Sequence, residues 1–470
     1  MNIIVTKQFR ILFVLLFIFL LFNGCAAFKD RLVSPPLEGV TPQMEDYHYW
    51  TGKLATPQSD LLIYEEIDYR NRLLVKRKDL YMNDLSAFPD TLPKEEVEEM
   101  LELGKMILHK ELYSHINYPM DQEKKTEIIN RLNLDGIPPL KTVQWALTLR
   151  ECDMRALPTN ELAMEKADDY QFDRFQFTKI NPGEALAVIH NTLDGEWSFV
   201  VSYFAQGWIE SQDIGMAYDK ETVLDYFKAS AFVVYTGDTG DLYYDREFTR
   251  FAMEVRMGMK LPLIEEGEDY FCVRIPILDA NGYLSFTKGY LAKDPSVNIG
   301  FLPFTQDNVA RLAFMLKGGS YGWGGMFDGR DCSAFIFDIF KCMDLLLPRN
   351  SRSQAKAGLS SIDLTGFSPE QKEAIVAEKG VPFATLLNLP GHVMLYIGKE
   401  WNKPYVIHSL WAYREKISYK DRLSNVSQIV VSDLHLGEGS NKGSLLERLS
   451  GITFLANKNP ALTDWINLMK

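Results

Sequence analysis

The feature that most limits the fold is a change of hydrophobic period near the middle of the chain. Between about residues 172 and 293 the apolar residues stop recurring at helical spacing and fall into short β-type runs. The runs 185–189, 197–201 and 207–209 form one set, with Asp194-Gly195 as a hairpin turn. The runs 231–235, 251–257, 270–277 and 283–287 form a second, with Asn281-Gly282 as its turn. Each set has the size of an SH3-like barrel. Asp238, Asp241 and Asp245 lack the regular ligand spacing of a calcium loop and read as a turn.

The flanks read differently. Residues 61–152 carry a helical pattern. Leu92-Pro93-Lys94-Glu95-Glu96 opens one helix, with acids in the first turn where the dipole favours them. Residues 122–132 and 140–150 read as two more. After Pro303-Phe304, Thr305 is an N-cap for a helix running to Lys317, stopped by Gly318-Gly319. The whole is an α+β multidomain chain, divided as a tether at 25–58, a helical domain at 59–165, SH3-like barrels at 166–228 and 229–298, and an α+β domain at 299–470.

At the start, Lys7 and Arg10 precede the apolar run 11–22, which is short of the roughly 20 residues that span a bilayer. It ends at Asn23-Gly24-Cys25, which resembles a bacterial lipoprotein signal, with Phe22 where that signal usually has Leu. The expectation is a signal peptide over 1–24 and a lipid on Cys25. That makes an exported chain, held to the membrane of the cell envelope by its anchor. The net charge of −13 argues against nucleic acid as a partner. Five Cys are too few for a disulfide scaffold in 470 residues, and no CxxC or HExxH occurs, so neither a metal site nor a cofactor is expected.

The chemistry gathers near the C-terminus. Tyr321-Gly322-Trp323-Gly324-Gly325 leads to Gly329-Arg330-Asp331-Cys332-Ser333, and an apolar helix follows to Leu347 with Pro348 as its stop. A thiol at a helix start meets unpaired N–H groups that favour the thiolate and can bind an oxyanion. Cys342, in mid-helix among Phe and Leu, reads as packing. A nucleophilic thiol needs a base. His392 opens the strand 392–398, and His408 lies on the next strand, placed to fix the His392 tautomer and orientation. His435, in a loop, reads as structural.

At these residues the sequence resembles the NlpC (p-sixty) family of bacterial cell-wall cysteine peptidases. The match rests on Tyr321–Gly325, Asp331-Cys332-Ser333, Pro348-Arg349 with Gln354, Gly391-His392-Val393 and His408. Upstream, Asp194–Val200 with Gly207-Trp208-Ile209 resembles the bacterial SH3 domain found in a subset of these enzymes, and the helical stretch resembles their clip-like stabilising domain. The resemblance implies a papain-like core with a Cys332, His392, His408 triad. It also implies an endopeptidase acting on the γ-D-glutamyl to diaminopimelate or Lys bond of peptidoglycan stem peptides or murein fragments, those with a free N-terminal L-Ala. Asp331 would then meet a substrate ammonium, Ser333 and Tyr321 would hydrogen-bond the peptide, and Asp173-Arg174 is a candidate contact from the neighbouring barrel. An amidase or acyltransferase on the same Cys-His core, or a non-catalytic wall-binding lipoprotein, are the alternatives.

Overall fold

The computed structural model describes residues 31–418 and 420–456. The signal segment 1–24 and Cys25 lie outside the described residues. Helices Tyr64–Leu74, Lys94–Ile107 and Gln122–Arg131 stand in the N-terminal region. Glu95 and Glu96 occupy the first turn of the second, and Asp121 caps the third by accepting from Lys124 N. Val97 and Leu101 are buried with Gly104 on one face of the second helix. A Cβ at Gly104 would stand 2.1 Å from Ala156 O, so glycine is what lets this helix approach the adjoining backbone.

Residues 140–150, expected as a helix, are strands instead. Leu140–Thr142 pairs antiparallel with Thr91–Pro93, and Gln144–Thr148 lies inside the first large sheet. Trp145, Ala146, Leu147 and Thr148 are all buried. A strand covered on both faces reads as an unbroken apolar run, which periodicity does not separate from a buried helix.

That first sheet has seven strands. Their spatial order is Ile214–Met216, Gln144–Thr148, Ala185–Asn191, Trp197–Val201, Gln206–Glu210, Cys152–Arg155 and Gln176–Ile180. Asp194-Gly195 makes the expected hairpin, with Gly195 at φ +73° and Asp194 accepting from Glu196 N. The second sheet also has seven strands, from Phe251–Arg256 at one edge to Val297–Ile299 at the other. It keeps a separate apolar core around Val233, Leu242, Val255, Leu261 and Val273. Asp245 serves as a turn residue, accepting from Thr249 N and Arg250 N. Asp238 instead reaches into the C-terminal region, pairing with Arg330 at 2.5 Å.

The C-terminal region is a helix pair on an antiparallel sheet. Thr305 caps Gln306–Met315 by accepting from Asn308 N. The buried helix Cys332–Lys341 follows. It ends six residues earlier than the sequence suggested, because Asp344 turns into the left-handed region at φ +56°. Leu345 and Leu347 stay buried beyond it, so the apolar run outlasts the helix. The sheet runs in the order Lys420–Asp433, Lys403–Ile417, His392–Glu400, Thr385–Leu389, Gly451–Phe454, Ser360–Asp363, with Arg31–Leu32 added in parallel beside Lys420–Asp433. The α+β multidomain architecture expected from the sequence is the one found. No helix among the described residues is long and apolar enough to cross a membrane.

Candidate active site

Asp331 makes the start of the Cys332 helix. Its Oδ1 accepts from Ser333 N at 3.0 Å and Ala334 N at 2.8 Å, satisfying two of the donors a helix start leaves unpaired. Arg349 grips the same carboxylate with both arms, Nη1 to Oδ1 at 3.0 Å and Nη2 to Oδ2 at 2.9 Å. Gly324 N donates to Oδ2 at 3.0 Å, and Ser333 Oγ donates to Oδ1 while accepting from Arg349. Burial alone would raise the Asp331 carboxyl; the Arg349 guanidinium and these hydrogen bonds outweigh it and hold it below the ordinary carboxylate value. Asp331 and Ser333 thus spend their polar atoms inside the protein. Gln354, fully buried, ties Ser333 O to Pro348 O.

Cys332 is 7% exposed, the first residue of its helix. The helix start favours the thiolate, and burial works against it. Burial, and then the Asp331 anion beside it, push the thiol up to about 12, against the pull of the Val393 and Ser333 N–H groups and Arg349. The Val393 contact sets the sulfur against the start of the strand His392–Glu400. Cys342 is also pushed up to about 12 by burial, and its sulfur donates to Asp338 O within its own helix.

His392 and His408 come together as the sequence predicted. Leu395 pairs with Ile407 across the two strands, which puts His392 and His408 on one face. His392 Nε2 lies 2.7 Å from His408 Nδ1, and His408 Nε2 lies 3.1 Å from Ser432 Oγ on the third strand. If Ser432 accepts from His408, then His408 Nδ1 accepts from His392, and His392 is left with a bare Nδ1. Burial lowers His392 to about 4 and His408 well below its ordinary value. Both rings are neutral at pH 7. His435 sits apart, between Glu373 at 2.9 Å and Glu438 at 3.2 Å.

One wall of the site is aromatic and comes from two regions. Phe172, from the loop before the strand Gln176–Ile180, packs on Trp411 at 4.8 Å, on Trp323 at 5.5 Å and on Tyr321 at 6.4 Å between ring centroids. Arg174 lies over the Trp323 ring at 5.0 Å. Tyr321 is half-buried; burial raises its phenol, with Asp331 and Cys332 adding to the effect. The neighbouring Asp173 is structural, accepting from Arg155, Ala163 N and Phe175 N. Phe172, Trp411 and Ser432 had no motif to mark them. No cluster of three or more His, Cys, Asp or Glu able to hold a metal occurs among the described residues. All four described cysteines are buried free thiols.

The NlpC/P60 family model matches residues 318–428, and the model of an SH3 domain of the SH3b1 type matches residues 162–210. The first holds the glycine loop, Cys332, His392 and His408; the second holds Phe172, Arg174 and the strand Gln176–Ile180. Among curated relatives, the chain is 27% identical over 129 residues to the γ-D-glutamyl-L-lysine dipeptidyl-peptidase of Bacillus subtilis (strain 168), and 27% identical over 196 residues to that of Bacillus cereus (strain ATCC 10987 / NRS 248). These matches cover 26% and 36% of this chain, and span 40% and 56% of the relatives' own lengths. Among solved structures, it is similar to an NlpC/P60 endopeptidase from Photobacterium damselae subsp. piscicida, with TM-score 0.72 and 19% identity, over 91% of this chain and 99% of that one. That likeness speaks for the fold.

Proposed function

We propose that this protein is a cysteine endopeptidase of the bacterial cell wall. It cuts the γ-D-glutamyl to diaminopimelate or Lys bond of murein peptides, those with a free N-terminal L-Ala. The observation that carries the reading is the array Cys332, His392, His408 and Ser432 on one buried helix start and three adjacent strands. The domain family and the two dipeptidyl-peptidase relatives support the substrate class.

The chemistry follows from the protonation states. The resting pair is a neutral thiol and a neutral imidazole, so attack and proton transfer go together. His392 Nδ1 takes the thiol proton as Cys332 Sγ bonds to the γ-carbonyl carbon. The N–H of Cys332, which Asp331 does not cap, receives the oxyanion. Collapse breaks the C–N bond, and the imidazolium gives its proton to the leaving amine. Water, deprotonated by the same nitrogen, then releases the acyl group from sulfur. His408 accepts from Nε2 throughout and stabilises the imidazolium.

In this reading two roles differ from the sequence expectation. Asp331 and Ser333 act from behind, fixing the helix start, and neither oxygen of Asp331 is left for a substrate ammonium. Tyr321, Arg174 and Trp323 are the polar groups in this reading that meet the peptide. Trp323 Nε1 and Arg174 Nε are buried and lack a hydrogen-bond partner among the described residues. Attachment through a lipid on Cys25 would hold the enzyme at the membrane, facing its substrate outside the cytoplasm.

The test is direct. Wild-type protein and Cys332→Ala are incubated with L-Ala-γ-D-Glu-diaminopimelate and the Lys counterpart, and products are read by mass. Release of L-Ala-γ-D-Glu by wild type alone is expected. Intact tripeptides alongside trimmed glycan-attached stems would refute the requirement for free L-Ala.

A further inference from the structure

The strand Gln176–Ile180 lies at the edge of the first barrel, with Cys152–Arg155 as its one neighbour in the sheet. The glycine loop of the peptidase domain covers its other side. Gln176 Nε2 donates to Gly324 O at 3.1 Å, and Lys179 Nζ pairs with Asp328 at 2.8 Å. A Cβ on Gly324, which sits at φ +57°, would fall 2.9 Å from the Gln176 side chain. Between these two contacts, Thr178 Oγ1 accepts from Arg349 Nε at 2.7 Å. Among the described residues this is the one hydrogen bond from Arg349 to the barrel; its two remaining nitrogens hold Asp331, the cap of the Cys332 helix, with Nη1 also donating to Ser333 Oγ. Thr178, Arg349 and Asp331 are 2%, 8% and 8% exposed, so the line from barrel to nucleophile is internal throughout.

We propose that Thr178 is a positioning residue for the reaction at Cys332, aiming the Arg349 fork so that Asp331 holds the start of the nucleophile's helix in register with His392. The inference rests on the peptidase reading above. A guanidinium is a rigid plane. Its bonds to the Asp331 carboxylate and to Ser333 Oγ tie it to the helix start but leave it free to swing with that helix start as a unit. A further bond from Nε to the barrel fixes the plane itself. Thr178 is a suitable anchor. Its hydroxyl donates to Lys179 O, which leaves lone pairs for Arg349, and its branched side chain is stiff about χ1. Its backbone is clamped by pairing opposite Met154. The barrel is on this account part of the catalytic apparatus, whatever else it binds.

The test compares Thr178→Val with Thr178→Ser in the full chain. Val keeps the shape and removes the acceptor; Ser keeps the acceptor and removes a methyl. Two readouts are taken: kcat and KM on the murein tripeptides, and the rate at which iodoacetamide captures the Cys332 peptide, followed by mass. For Val, kcat should fall about tenfold or more with KM within about twofold, and capture of Cys332 should slow, while Ser restores both toward wild type. Wild-type values for Val would overturn the proposal, as would equal losses in Val and Ser, which would mean packing alone. Should Val not fold, Thr178→Ala is read in the same way. If wild type cuts none of the tripeptides, the peptidase reading fails, while the capture rates still decide on Thr178.

Discussion

His392 Nε2 and His408 Nδ1 stand 2.7 Å apart, and in the proposed reaction this contact leaves Nδ1 of His392 as the base. A lone ring on a strand end would sample both tautomers. Here the chain of bonds ends on Ser432 Oγ, and each member is set by the one before it. His408 is fully buried, so its role is transmitted through His392.

Replacing His408 should therefore disable the reaction with little effect on substrate binding. His408→Ala is expected to lower kcat by about 10² or more, since a misoriented or wrong-tautomer imidazole is a poor base. His408→Gln, which offers an acceptor oxygen, should recover part of the loss. Steady-state kinetics on the tripeptide read both, and a KM effect without a kcat effect would contradict the assignment.

The resting thiol should behave as a neutral one. Burial and Asp331 hold Cys332 up near 12, and burial holds His392 down near 4. Capture by iodoacetamide in the absence of substrate should then climb about tenfold per pH unit between 7 and 9, following the thiolate fraction. A rate already flat across that range would mean a preformed thiolate–imidazolium pair.

The same two imidazoles shape stability against pH. Unfolded, each takes a proton near the ordinary 6.5; folded, His392 does so only near 4, and burial holds His408 well below 6.5. The unfolded chain therefore binds more protons in between, and stability falls as pH drops from about 6.5 toward about 4. Urea midpoints at pH 7.0 and 4.5 measure the slope. His408→Gln should flatten it, and an unchanged slope would contradict the burial argument.

Arg349 and Asp331 form a buried ion pair at 2.9 Å. Arg349→Met leaves the carboxylate stranded, which should cost about 3 kcal/mol or more in unfolding free energy. Arg349→Lys keeps the charge and loses the fork, so stability should recover further than kcat. Equal recovery of both would argue that charge alone matters.

Much of this was legible in the sequence because the signals were local. Asp194-Gly195 and Asn281-Gly282 turn where their chemistry demands it, and Thr305 caps its helix. Cys332 at a helix start and two His on consecutive strands pointed to the proposed triad, and the two His do meet, 2.7 Å apart. Other parts are nonlocal. Gln144–Thr148 carries the composition of a helix and becomes a strand only because neighbours bury both its faces. Trp411 reaches Phe172 beyond a bulge between Leu410 and Ala412 that shifts the strand alternation. Asp331 looked like a free charge; Arg349, which occupies it, lies 18 positions away. The thiol value depended on burial, which no motif encodes.

The central claim is that Cys332 forms the acyl-enzyme with His392 as its base. Rapid acid quench of wild-type protein turning over L-Ala-γ-D-Glu-diaminopimelate, followed by peptide mapping by mass, tests it most directly. The account predicts an L-Ala-γ-D-Glu acyl adduct on the peptide containing Cys332. The adduct should be missing in Cys332→Ala and should form far more slowly in His392→Ala. Turnover by Cys332→Ala, or an adduct on any other residue, would contradict it.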